Sequence, residues 1–461
     1  SVYLPAYARP DSAVYKFQSR FQDPDPRESR VPLEPEMTMP QQVSRISTLN
    51  PIKRSKVEPF VYGRAIAHRL HFRFEEITTN LDNDLLFGGL DTYAGTKEGF
   101  DFRPLGILVK GEARDLFEDY EFEGGARFPT TFDGSEWFLV FDDLKDRLDK
   151  RYAIYRRSNF ESMEEGTQLN ERRIISHIGY QRLSYPLDIY RSIRLSTTLR
   201  LDRTVQLATD LPSLQQDDIF AQRLGLRLSY VFDNTFDVMK NIKNGTRYKF
   251  YIEALNRFNL EFSPLKLEPS NGYMTILGAD IRHYQRLDRY SILAARLAGN
   301  ASIGGERIMY FMGGVENWLF PKSNETTPLP QSGSFAYQTP ALNMRGFKQN
   351  IRNGSSYVLL NTELRIPVFN YLSRRKIRSS LLRNFQIVGF MDMGTAWHGW
   401  NPFSDENPIN SVTFTTPPSD AVSITVDYFR DPLVIGYGFG LRTSILGYFL
   451  RLDYAWGVET R

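Results

Sequence analysis

The chain contains no cysteine in 461 residues. That excludes disulfide frameworks, thiolate metal sites and cysteine nucleophiles together. Cysteine-free chains are common in the cell envelope, where an oxidising compartment must be crossed, and also occur in the cytosol. No apolar stretch reaches the roughly 18 residues that a membrane-spanning helix requires, and the mean hydropathy is −0.40. The net charge is only +3, and no Lys/Arg block interleaves with aromatics, so nucleic acid is not an expected partner. Five histidines (His68, His71, His177, His283, His398) are scattered. His68 and His71 lie close together, but without the cysteine or acid pattern of a metal site. With no catalytic constellation in view, no enzyme, cofactor or metal is expected. Ser1 opens the chain without Met or signal peptide, so a processed N-terminus or a cut from something longer is expected.

Aromatic side chains, by contrast, are abundant. They make up 14% of the chain, as 33 Phe and 25 Tyr against 5 Trp. Such an excess without an apolar run suits a β-barrel with aromatic girdles. Nine of the 25 prolines fall in the first 60 residues, in runs such as Asp23-Pro24-Asp25-Pro26. Proline removes a donor and fixes φ, so residues 1–75 read as irregular: a linker, or a plug-like segment lying against or threading a barrel.

Beyond that segment the pattern alternates. Tyr120, Phe122, Gly124, Ala126 and Phe128 oppose Asp119, Glu121, Glu123, Gly125 and Arg127. Leu224, Leu226, Leu228, Tyr230 and Phe232 oppose Arg223, Gly225, Arg227, Ser229 and Val231. Period two puts one greasy and one polar face on each strand. A soluble sandwich also alternates, so length, number and aromatic ends decide. Segments of ten residues or more recur without helical interruption, matching the 9–11 residues of a bilayer-spanning strand better than the five or six of a soluble one. The expected fold is all-β: an antiparallel transmembrane β-barrel of about 16 strands occupying residues 76–461. Its first strand is placed near 84–94, and another near 307–319. Short turns at 115–118, 146–149 and 287–288 face long links at 161–169, 204–218, 320–355 and 398–431. This asymmetry is that of bacterial outer-membrane barrels, with the long loops outside. Gly436 to Leu441 superficially suggests a phosphate loop, but Arg442 continues a strand and no helix follows. The cluster Arg374-Arg375-Lys376 is expected in a solvated turn on the short-loop side, with contact to lipid headgroups as the lesser alternative.

Three motifs in chain order then carry a resemblance. Met344-Arg345-Gly346-Phe347 resembles the [VI]RG[FY] tip of the long sixth extracellular loop in the BamA superfamily (outer membrane protein 85 superfamily). Phe390-Met391-Asp392-Met393-Gly394 resembles its aspartate–glycine strand, and Glu363 falls where a neighbouring strand places an acid. Gly438 to Trp456 resembles the penultimate hairpin. Asn80 to Leu90 is similar to barrels of Bacteroidota that follow a TolB-like propeller. The resemblance implies that the loop folds back into the lumen, where Arg345 pairs with Asp392 and Glu363. A guanidinium suits two carboxylates because its donors form a fixed fork. It further implies a bacterial outer-membrane location, contact with outer-membrane lipid and lipopolysaccharide, and envelope-protein clients or complex subunits. Members usually end on a closing strand with a terminal aromatic; this sequence stops at Glu459-Thr460-Arg461, so a final strand is expected to be missing or the closure to differ. Three roles remain open: an assembly or insertion factor, a translocation pore, and an accessory barrel anchoring a partner.

Overall fold

The computed structural model describes residues 70–82 and 106–459, leaving out 131–133, 166–167, 208–214, 216, 263–264, 270–271, 325, 331–332, 342, 374–376, 416–422, 428–429 and 446–447. The strand expected near 84–94, most of the Asn80–Leu90 stretch, the Pro-rich start and the Arg374 cluster lie outside the described residues.

A 17-stranded sheet forms the body. Its wall runs through β1 (Phe72–Asp82), β2 (Gly106–Asp115), β3 (Tyr120–Pro129), β4 (Ser135–Asp143) and β5 (Asp149–Glu165). It continues through β6 (Gln168–Pro186), β7 (Arg191–Gln206), β8 (Ile219–Asp233), β10 (Ile242–Phe262), β12 (Met274–Arg286) and β13 (Ile292–Gly304). The last wall strands are β17 (Ser356–Ile366), β18 (Gln386–Trp397), β21 (Val434–Ile445) and β22 (Tyr448–Glu459). Each pairs antiparallel with the next. Two short strands, β9 (Phe236–Met239) and β11 (Leu265–Pro269), pair with β10, and β19 (Ser411–Thr415) pairs with β20 (Ser423–Asp427) in the link between β18 and β21. Among the described residues, no pairing joins β1 to β22.

The sheet curls into a barrel with its polarity inverted relative to a soluble protein. Outward positions hold exposed Leu226, Leu228, Ile252, Leu277 and Leu297, while inward positions bury Arg247, Glu253, Arg282 and Arg296. Rings gather at the end that bears the short turns. Phe72 meets Phe122 edge-on at 5.0 Å, Phe122 lies tilted against Phe141 at 4.7 Å, and Phe232 stacks on Tyr248 at 4.8 Å. No helix among the described residues is long and apolar enough to cross a membrane; α1 (Val368–Leu372) and α2 (Ser380–Arg383) sit in the β17–β18 turn.

Two sequence expectations need correction. The link placed at 161–169 is not a long loop, because β5 and β6 continue as a hairpin to Glu165 and Gln168. The strand placed at 307–319 is not part of the wall. It is β14 (Glu306–Met312), which forms a separate sheet with β15 (Ser334–Ala341) and β16 (Arg352–Gly354). Its run Ile308-Met309-Tyr310-Phe311-Met312 is buried on both faces. A continuous apolar run of that kind marks a strand enclosed by protein, whereas a wall strand must alternate.

Candidate functional site

The β13–β17 connection carries the small sheet β14–β16 and the motif Met344 to Phe347. It leaves the long-loop end of the barrel and descends into the lumen. Met344 anchors the descent: it is fully buried with Met312, Ala341, Ile351, Leu359, Ala396 and Val434. Its backbone N–H donates to the Gly314 carbonyl at 3.0 Å. The chain then turns through Asn343 at φ 73° and Gly346 at φ 90°, left-handed conformations that asparagine and glycine tolerate best.

Arg345 is held from two adjacent strands. Its Nε and Nη2 donate to Asp392 of β18 at 2.6 Å each, and its backbone N–H reaches the same carboxylate at 3.1 Å. Nη1 donates to Glu363 of β17 at 2.5 Å. The guanidinium also lies 3.7 Å over the Phe390 ring, a cation–π contact added to the bidentate pair. Arg345 is 2% exposed, Glu363 3% and Asp392 0%. Asn361 completes the shell, donating to the Asn343 carbonyl at 2.5 Å and to Asp392 at 2.8 Å. Arg345, Glu363 and Asp392, matched from the sequence motifs, therefore meet at one point.

The opposite face of the motif needs room. A Cβ on Gly436 of β21 would lie 1.9 Å from the Arg345 carbonyl oxygen. One on Gly457 of β22 would lie 2.6 Å from the Phe347 ring. These glycines face each other across the β21–β22 register and make the seat on which Arg345 to Phe347 rests. Sequence reasoning placed Gly436 in a strand that continues through Arg442 and assigned Gly457 no role. The missed signal was that this inward face lacks side chains where neighbouring strands carry charges.

Two further braces tie the loop to the wall. Arg352 is buried and donates to the carbonyls of Pro432 and Asp431 at 3.1 and 2.7 Å and to Glu459 at 2.9 Å. Across the lumen, Tyr337 of β15 donates to Asp202 of β7 at 2.9 Å and accepts from Arg223 of β8 at 2.7 Å. Near the loop mouth, burial and the neighbouring Arg307 hold the His398 pKa below its ordinary value. The loop thus bridges facing walls. Among the described residues, no group of His, Asp or Glu is placed to hold a metal, and the site's carboxylates are occupied by guanidinium groups. What the arrangement does is immobilise a loop inside a barrel.

No protein-family model matches the chain, and no curated protein matches it. Similar solved structures include BamA from Haemophilus ducreyi lacking POTRA domains 1–3, at 13% identity and TM-score 0.47, covering 84% of this chain and 73% of that one. CdiB from Escherichia coli matches at 10% identity and TM-score 0.44, covering 86% and 64%. CdiB from Acinetobacter baumannii matches at 11% and 0.43, covering 84% and 62%. The structural neighbours are BamA and CdiB. The chain spans a little under two thirds of the CdiB structures' length.

Proposed function

We propose that this chain is a bacterial outer-membrane β-barrel that assists the assembly, insertion or translocation of other envelope proteins, with its lumen closed at rest by its own loop. Two physical features support the membrane reading. The outward face is apolar where it is exposed, and the charged face is turned inward, the arrangement a bilayer demands of a spanning barrel. The observation that carries the functional reading is the burial of Arg345 between Asp392 and Glu363. Three segments, each resembling the superfamily's pattern, supply the residues of that contact, Arg345, Glu363 and Asp392.

Quantitative outer-membrane proteomics after depletion of the protein in its host tests this. Loss of many unrelated barrels supports general assembly, and loss of one or two secreted or surface proteins supports a dedicated translocator. An unchanged membrane sinks both. The second reading, an accessory barrel that anchors a partner, is favoured by the cross-lumen brace at Tyr337 and the wall brace at Arg352, since a permanently braced lumen needs no gate.

A further inference from the structure

The clamp does not end at Glu363. Its second oxygen, Oε2, accepts from Arg365 Nε at 2.9 Å. Arg365 in turn donates through Nη1 to the carbonyl and side-chain oxygens of Asn241 at 2.8 and 2.7 Å. Asn241 sits at the tip of the β9–β10 hairpin, at φ 61° and 2% exposed. This hairpin lies at the short-turn end, opposite the mouth through which the loop enters. From the β8–β10 wall its tip reaches across to β18 and β21. Asn241 donates to Gln386 at 3.0 Å, Gln386 returns a bond to the Lys240 carbonyl at 2.7 Å, and Lys240 Nζ donates to Ser444 at 2.7 Å. Ile242 packs beneath with Tyr284, Ile292 and Ala294.

We propose that the β9–β10 hairpin is a second closure of the lumen, and that Glu363 and Arg365 couple it to the loop clamp. One carboxylate serves both ends: Oε1 holds the loop arginine and Oε2 holds the arginine that grips the hairpin. A shift of Glu363 therefore strains both latches, so releasing one end loosens the other. A contiguous hydrogen-bonded chain joining the two ends is the physical route by which such coupling travels. The inference goes beyond the proposed function and is independent of what the barrel handles; the depletion result would stand whichever way the coupling test falls.

Hydrogen exchange read by mass spectrometry on the whole chain in lipid nanodiscs tests it. Heat-modifiable gel mobility first confirms that each variant is folded. Asn241→Ala touches no loop residue, yet is expected to speed exchange by about fivefold or more at residues 343–347 as well as 239–243. Glu363→Gln is expected to do the same in both segments. Ser444→Ala removes the contact to Lys240 Nζ, leaves Asn241 on Arg365, and should leave 343–347 unchanged. If Asn241→Ala does not fold, Arg365→Lys substitutes: one ammonium cannot span both Glu363 and Asn241, so both segments should loosen. Exchange that rises only in the segment nearest each substitution overturns the coupling, and loosening of the loop by Ser444→Ala overturns the route through Glu363.

Discussion

At the residue scale, the clamp is a buried triad whose members depend on one another. Taking one charge away leaves the others buried and uncompensated, which costs about 3–5 kcal/mol. Arg345→Met is therefore expected to destabilise the folded barrel by about that much in urea titrations followed by gel mobility. Arg345→Lys should lose much of the same stability, because an ammonium cannot make the paired contact with Asp392 and reach Glu363 at once. Adding Glu363→Gln and Asp392→Asn to Arg345→Met removes the stranded carboxylates and should recover part of the loss. His398 offers a pH test of the loop mouth. Burial and the neighbouring Arg307 disfavour its charged form, and its Nδ1 makes no hydrogen bond among the described residues. Its folded pKa lies below its unfolded value, so its contribution is complete above about pH 6.5 and is lost as pH falls below that. The fall in stability between pH 7.5 and 5 should accordingly be shallower in His398→Gln than in the native chain; identical slopes would remove His398 from the account.

At the element scale, the glycine seat decides whether the loop fits. Gly436→Ala places a methyl against the Arg345 carbonyl and should expose residues 343–347 to protease and to hydrogen exchange. Gly389→Ala on β18, where a Cβ meets nothing within 4 Å, should leave the loop unchanged. Equal behaviour of the two would mean that the seat is not what orders the loop. Elements differ in how far they can be read from sequence. β3, β7 and β8 alternate cleanly because each has one face to the outside and one to the lumen. β14 does not, since protein encloses it on both sides, and its apolar run resembles a wall strand in length alone. The tip of the β9–β10 hairpin gives no such signal either: Asn241 is buried by Arg365 and Gln386, more than 120 residues away. Arg345, Glu363 and Asp392 were legible as motifs. Asn361, Arg365, Tyr337 and the facing glycines were not, because their roles exist only once the sheet has curled and facing walls meet.

At the scale of the whole molecule, the inverted polarity makes opposite predictions for the two faces. A charge placed on the outward face near mid-strand, as in Leu226→Arg or Ile252→Arg, should cost about 2–4 kcal/mol when folding into lipid vesicles is titrated. Ser229→Thr, on the inward face of β8, should cost little, since it keeps its hydroxyl. If outward charges were tolerated as they are on a soluble surface, the membrane reading would fail. This barrel carries its long-loop tip inside the lumen, clamped by two wall strands. A cryo-electron microscopy map of the full chain in lipid nanodiscs tests that most directly. Density for Met344 to Phe347 is expected inside the barrel, with the Arg345 guanidinium between Glu363 and Asp392 and its backbone against Gly436. An empty lumen, with the loop outside the barrel and the two acids facing water, would contradict it.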